Sequence, residues 1–407
     1  MTSEQIISLD KADLPAIDFQ GPEYLRDPSG ALRAARERSW LARSGQGFQV
    51  LSHAVIKQMV ADPDIDSAGP DYYRRMGGSD LLVEYATNGM LPLIQGLRHD
   101  RIRKVLQRGF SGRRIVDMRP VMRRVAGHLI DRLAGRPSFD LIADFSHHYP
   151  LAVLCALIGV PEEDIPQFSL WTVDLALMSR VPIGPHLAAI DAALKSLYGY
   201  FRVLVAERRI KPTDDFVTAL IEAEAAGEEL TEPELFGSLV NLLFAGHDTT
   251  RYQFVWVIQQ LMTYRDQWDR VVANPSLAAG AVEETLRLQP SLQGFIRQVS
   301  KDVVYRGIRL PAGTFLSLNA LAANRDPDVF DDPDRFDITR PNAQQQLTFG
   351  RGAHLCLGNA LARSEMTEAL QIFATRFPNL TLAGEPTYPE GYSGMRGAEH
   401  LPLAANA

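Results

Sequence analysis

The sequence predicts a mainly α-helical fold carrying small β-sheets. Three observations predict it. Residues 234–264 form a long, largely apolar run without a proline. Residues 359–377 form a second helix-favouring stretch, directly after a glycine-rich loop. Residues 293–299 and 303–317 are short alternating runs punctuated by glycine and proline, the pattern of small strands. A chain of 407 residues exceeds the usual single-domain range. It nevertheless holds no glycine/serine or charged linker, no internal repeat and no low-complexity tract, so one domain spanning 1–407 is expected.

Taken in chain order, residues 98–108 read as a helix in which His99 and Arg103, four apart, share one face. The region is strongly basic: Arg98, Arg101, Arg103, Lys104, Arg108, Arg113 and Arg114. The plain alternative is a solvated helix face. In a chain of net charge −7 the cluster stands out, and a docking surface for an acidic protein partner is the functional reading beside it. The long run at 234–264 would span roughly 45 Å at 1.5 Å per residue. Thr231, Pro233 and Glu234 supply a cap, an early proline and a first-turn acid. His247, Asp248, Thr249, Thr250 and Arg251 interrupt its apolar character, so it is not a membrane span. Within it, Gly246 weakens a helix, and adjacent threonines compete for backbone carbonyls. Such a conflict marks a kink, a packing glycine or a functional site. Glu284 and Arg287 lie three apart on a helix ending at Pro290, in isolation an ordinary surface ion pair.

The chain has two cysteines. Cys155 lies in the apolar run 151–158 and is assigned to core. Cys356 lies in Phe349-Gly-Arg-Gly-Ala-His-Leu-Cys-Leu-Gly358, framed by Gly350, Gly352 and Gly358. Those glycines would permit backbone angles closed to other residues and a close approach to a flat cofactor. A metal-bound thiolate needs donors, and the N–H groups of Leu357, Gly358 and Asn359, at the start of the following helix, are placed to supply them. Phe349 could pack beside the sulfur and exclude water. There is no C-x-x-C pair for structural zinc. A disulfide between the two cysteines is not expected in a reducing compartment.

The 349–358 run matches F-G-x-G-x-H-x-C-x-G at every fixed position, and so resembles the haem-binding signature of the cytochrome P450 family. The resemblance extends over about residues 20–402 and is strongest from 231 to 365. It implies the P450 fold, with a long central helix over a b-type haem, and Cys356 as the axial iron ligand, with Phe349 and Gly358 beside the cofactor. Ala245-Gly-His-Asp-Thr-Thr250 matches the family's distal-helix pattern. By that likeness Ala245 and Gly246 lie against the haem, Gly246 opening space for dioxygen, while Asp248 and Thr249 manage protons. A hydroxyl can donate and accept, and a carboxylate can carry protons in. His247 is read as a packing or water-contacting residue. His99, Arg103, Arg297 and His354 match the family's propionate-binding positions. Glu284 and Arg287 match its E-x-x-R motif, with Arg335 of Asp332-Pro-Asp-Arg-Phe336 as the third member, in a structural role.

The resemblance implies a monooxygenase that inserts one oxygen atom from O2 into a small organic substrate, hydroxylation foremost. Desaturation, epoxidation or phenol coupling are alternatives of the same chemistry. The chain carries no ferredoxin-like cysteine cluster and no flavin or dinucleotide domain. Electrons from NAD(P)H would therefore arrive through a separate ferredoxin and its reductase. Asp248-Thr249 argues against a peroxide-driven enzyme, and the intact Cys356 against a non-catalytic recruitment module. Met90, Leu91, Phe244, Leu292 and Phe295 are candidate pocket residues, and their apolar character suggests an apolar substrate. The acidic net charge argues against nucleic-acid binding. Residues 1–10 lack a basic flank and a long apolar core, so no signal peptide is expected. A soluble, cytoplasmic monomer without a membrane anchor is the expectation.

Overall fold

The computed structural model describes residues 6–69, 71–180, 182–227, 230–391 and 393–406. Residues 1–5, where the sequence was read for a leader, lie outside them. The molecule is built around one helix, Glu232–Thr263. Its start is a complete capping box: the Thr231 hydroxyl accepts from the Glu234 N–H, and the Glu234 carboxylate accepts from the Thr231 N–H at 3.0 Å. Leu239, Val240, Leu243, Val255, Val257, Ile258 and Leu261 on this helix are fully buried. Each contributes about 1.5–3 kcal/mol by leaving water. The helix runs through residues 245–250 without a break. The polar cluster there costs local propensity, and burial on both sides outweighs it.

Helices Tyr149–Ile158, Leu187–Ile210, Ala278–Leu288 and Asp80–Asn88 pack around the long helix. Cys155 is fully buried within Tyr149–Ile158, as core. A five-residue π-helix, Ile142–Ser146, precedes that helix and sets His147 against the long helix. Helix Asn359–Arg376 begins at Gly358 and packs against Gly112–Asp131 and Ala278–Leu288. No helix among the described residues is long and apolar enough to cross a membrane.

The strands form small sheets at the edge of this helical body. A six-stranded sheet runs Ala16–Ile17, Leu41–Ser44, Gly47–Val50, Phe315–Asn319, Gly294–Val299, Ile65–Ser67. The run 303–317, read as one hairpin sheet, divides. Val303–Tyr305 and Ile308–Leu310 form a hairpin whose turn residues Arg306 and Gly307 have φ 46° and 77°. Phe315–Asn319 leaves it and pairs antiparallel with Gly294–Val299. A separate apolar cluster, with Leu41, Val50, Leu316 and Leu318 fully buried, holds this region together.

Candidate active site

The cysteine loop is fixed by its own backbone. The Cys356 N–H donates to the Phe349 carbonyl at 2.8 Å, and the Gly350 N–H to that of Leu347 at 2.8 Å. Gly350 and Gly352 adopt φ of 68° and 69°, so a side chain at either would be strained. Gly358 differs from expectation: its φ of −83° is open to any residue, and it serves as the start of the following helix. Cys356 exposes surface, yet burial pushes its thiol pKa up. Both follow when a residue lines an internal hollow. The Gly358 N–H, Arg103 and Arg363 oppose that shift and favour a thiolate. Phe349 is held beside the loop by Arg363, whose guanidinium lies 4.5 Å from its ring centroid.

Arginine and histidine side chains converge on this loop from two elements. Helix Gly96–Arg108 brings His99, whose ring lies 4.3 Å from that of His354, and Arg103, which acts on Cys356. Strand Gly294–Val299 brings Arg297 beside His354. Burial pulls Arg297 down to about 10, and its Nη1 donates only to the neighbouring Ile296 carbonyl. Arg297 has no carboxylate partner among the described residues. His99 is buried, its Nδ1 donates to Asp100 at 2.9 Å, and its Nε2 has no partner. Burial, with Arg297, His99 and Arg103 around it, pulls His354 to about 3. A buried polar atom without a partner is costly alone. A guanidinium without a carboxylate and an unpartnered imidazole nitrogen, beside an inward-facing thiol, fit an anionic cofactor that carries a thiolate-seeking metal.

On the long helix, Ala245 is exposed and Thr249 partly so, one turn apart on the same face. The Thr249 hydroxyl donates to the Ala245 carbonyl at 2.7 Å. Gly246 is turned away from them. A Cβ there would lie 3.0 Å from Leu154, so this glycine makes room for a neighbouring helix and does not open the face that Ala245 and Thr249 present. Asp248 is buried and pairs with Arg251 at 2.9 Å. Burial raises its pKa, while Arg251 and His147 hold it down. Arg251 in turn donates to His147 Nδ1 at 3.3 Å, and His147 Nε2 then donates to Ser169 at 2.8 Å. His247 is buried and donates from Nε2 to the His147 carbonyl at 2.7 Å, a packing role.

One segment, Ser291 to the strand Gly294–Val299, joins the two sides. The Ser291 hydroxyl donates to the Thr249 carbonyl at 3.0 Å, and Arg297 of the same segment lies beside His354. At about 3.3 Å per residue that run spans roughly 20 Å. Phe295 lies on the Arg297 face of the strand, about 4 Å from where a Gly350 Cβ would be. Leu292 bridges to Met395, and Phe244 is partly buried on the long helix. Met90 and Leu91 are buried at the end of helix Asp80–Asn88.

The E-x-x-R pair is deeply buried, not a surface pair. Both Glu284 and Arg287 have no exposed side-chain surface, and they meet in a two-bond fork of 2.8 Å each. The third member is Arg340, not Arg335. Arg340 Nε donates to Glu284 at 3.0 Å and its side chain is 7% exposed, whereas the Arg335 side chain is 68% exposed and faces Asp337 at 3.7 Å. Arg335 contributes its backbone carbonyl, which accepts from both Arg287 and Arg340. The physical reason is reach: the backbone after Pro333 folds its carbonyls inward and turns the Arg335 side chain to solvent.

The basic cluster is also partly internal. Arg98 and Arg101 both donate to the buried Glu234 at 2.8 Å. Arg114 pairs with Asp214 at 2.9 Å. Sequence reasoning also missed Arg363, which forks onto Glu283 and so ties the E-x-x-R helix to Phe349. Its spacing of four from Asn359, whose side chain accepts from it, was the available signal.

Comparison with known proteins points to one family. A model of the family Cytochrome P450 matches residues 167–387. The chain is 35% identical to luteothin monooxygenase of Streptomyces thioluteus, over 97% of each chain. It is 33% identical to erythromycin C-12 hydroxylase of Saccharopolyspora erythraea, over 94% of this chain and 95% of that one. The crystal structure of CalO2 superposes with a TM-score of 0.89 at 26% identity, covering 96% of this chain and 99% of that one. Kinship over the full length of curated oxygenases, together with that fold, means that this chain belongs to the cytochrome P450 family and is a monooxygenase that uses haem and O2.

Proposed function

We propose that this chain, acting as one domain, oxidises an apolar small organic molecule, with hydroxylation as the principal outcome. The observation that carries the reading is the inward-facing Cys356, framed by the Gly358 N–H, Arg103 and Arg363. Cys356 would hold the haem iron, and Arg103, Arg297, His99 and His354 would take the propionates. The bound haem supplies activation of O2, and its thiolate ligand favours O–O cleavage. The protein's own part is to bind, orient and manage protons. Thr249 presents a hydroxyl on the open face of the long helix and can exchange its Ala245 bond for one to a ligand. Asp248, buried behind it, holds a carboxylate whose proton affinity is raised by burial and tempered by Arg251. Met90, Leu91, Phe244, Leu292 and Phe295 supply apolar walls. Relatives named for luteothin and erythromycin support a natural-product-sized substrate. Relatives named as epoxidases favour epoxidation as the second outcome.

Electrons from NAD(P)H would come through a separate ferredoxin and reductase. Arg98 and Arg101 are committed to Glu234, which takes both out of the docking surface expected from the sequence. The test of the reading is the carbon monoxide difference spectrum of the reduced protein. A Soret band at the position typical of thiolate-bound haem is expected, and its loss in Cys356→Ser. Absence of the band in the parent protein would sink the reading. Spectral-shift titration against terpenes, fatty acids, aromatics and polyketides then identifies the substrate. With that substrate, Thr249→Ala should consume NAD(P)H with little product and release peroxide. Unchanged coupling would remove Thr249 from the mechanism.

A further inference from the structure

The segment bearing Met90 and Leu91 is fastened to the long helix at both ends. On one side, Tyr85 of helix Asp80–Asn88 is fully buried and donates to Asn241 at 3.4 Å. The helix ends in Gly89, which lies backbone against backbone on Gly237. A Cβ on Gly89 would fall 2.4 Å from the Gly237 carbonyl oxygen, and one on Gly237 would fall 2.7 Å from Gly89 Cα. On the other side stands Arg98. Its Nη1 donates to the Thr87 carbonyl at 3.0 Å, its Nη2 to the Asn88 side chain at 2.8 Å, and its Nε to Glu234 at 2.8 Å. One guanidinium thus closes the loop between residues 88 and 98 on itself and ties it to the first turn of the long helix.

The arrangement needs arginine. Three acceptors in three directions match a rigid fork, and an ammonium cannot satisfy them together. The anchor is sound: Glu234 is 2% exposed and also receives Arg101 and the Thr231 N–H. Ionisation of Glu234 is opposed by burial but outweighed by Arg101 and Arg98, which leave it at about 2. Because Arg101 remains on Glu234, loss of Arg98 frees the loop without stranding a buried charge.

We infer that Arg98 is a positioning residue that holds Met90 and Leu91 as a preformed wall of the substrate site. The inference rests on the haem-thiolate reading for the place of that wall. It assigns to Arg98 a role in specificity in place of partner docking.

The test uses the haem-loaded protein with imidazole and 4-phenylimidazole as probes, titrated by their Soret shifts. Both bind iron through nitrogen, and only the second carries a phenyl ring to probe the space beyond it. In Arg98→Ala, imidazole affinity is expected within twofold of the parent, and 4-phenylimidazole affinity at least threefold weaker. Met90→Ala should weaken 4-phenylimidazole in the parent background and have less than half that effect, on a logarithmic scale, in the Arg98→Ala background. Arg98→Lys should resemble Arg98→Ala. Amide exchange in residues 88–95 should accelerate at least tenfold in Arg98→Ala, with residues 359–376 unchanged. A 4-phenylimidazole affinity less than threefold weaker, or exchange at the parental rate, overturns the inference. A parent protein without the thiolate Soret band overturns the haem-thiolate reading instead, and the exchange measurement, which needs no iron ligand, still decides whether Arg98 fixes the loop.

Discussion

Asp248 shows how much a single residue's surroundings decide. The sequence marks it as an acid in an apolar helix, and nothing more. In the structure its carboxylate is buried, bonded to Arg251 one turn on, and backed by His147 from the turn after Ile142–Ser146. Arg251 was legible as an i,i+3 partner. His147 was not, because 104 residues separate it from Arg251 and only the π-turn at Ile142–Ser146 brings it close. Cys356 was legible for the opposite reason: its constraints are local, two glycines at positive φ and a helix start, and all lie within ten residues. Removing Arg251 leaves Asp248 as a buried charge without its closest partner. Arg251→Gln is therefore expected to lose about 3 kcal/mol of stability, measured by chemical denaturation, and to raise the proton affinity of Asp248. Asp248→Asn in the Arg251→Gln background should recover most of the loss, since no charge is left to strand. Equal instability in the double variant would mean that Arg251 acts through packing on Tyr252, 4.4 Å from its guanidinium, and not through charge.

At the scale of elements, periodicity and capping carried well. The helix expected over 234–264 is observed over Glu232–Thr263, and that expected over 359–377 over Asn359–Arg376. Failures came where an element's partner lies far along the chain. The 303–317 run was read as one sheet because its turns are local, but Phe315–Asn319 finds its partners at Gly47–Val50 and Gly294–Val299. Arg335 was chosen over Arg340 for a similar reason. A motif shows which residue type stands where, not which side chain turns inward. The two arginines now give a clean contrast. Arg340 holds Glu284 together with Arg287, and its other donors reach the carbonyls of Asp331, Asp332 and Arg335. Arg340→Ala should cost about 3 kcal/mol, as expected for breaking a buried pair, and should speed haem loss followed at the Soret band. Arg335→Ala leaves the useful backbone carbonyl in place and should stay within about 0.5 kcal/mol of the parent. The reverse order would return the structural role to the Arg335 side chain.

For the whole molecule, the buried titratable groups pull stability in opposite directions with pH. His147 and His247 are held at about 4, in both cases chiefly by burial. Between about 4 and the ordinary histidine value of 6.5, the unfolded chain binds protons that the folded one refuses. Their contribution is complete above 6.5 and is lost as pH falls toward 4. Glu365 acts the other way. It lies fully buried on the helix that follows Cys356, its Oε2 has no partner, and burial lifts its pKa well above the carboxylate range. The folded state then keeps a proton that the unfolded state releases above about 4.5, so stability is whole below that pH and declines as pH rises. Two histidines against one glutamate make these groups' net slope positive from 4.5 to 6.5, and Glu365 alone makes it negative above. Their joint optimum therefore falls near 6.5. Glu365→Gln keeps the shape and removes the titration. The melting temperature of the haem-loaded variant should match the parent near pH 4.5 and exceed it by a margin that widens toward pH 8. A constant offset across that range, or a loss of stability at pH 8, would mean that Glu365 stays ionised with a partner in the fold, and the falling limb would have to come from another group.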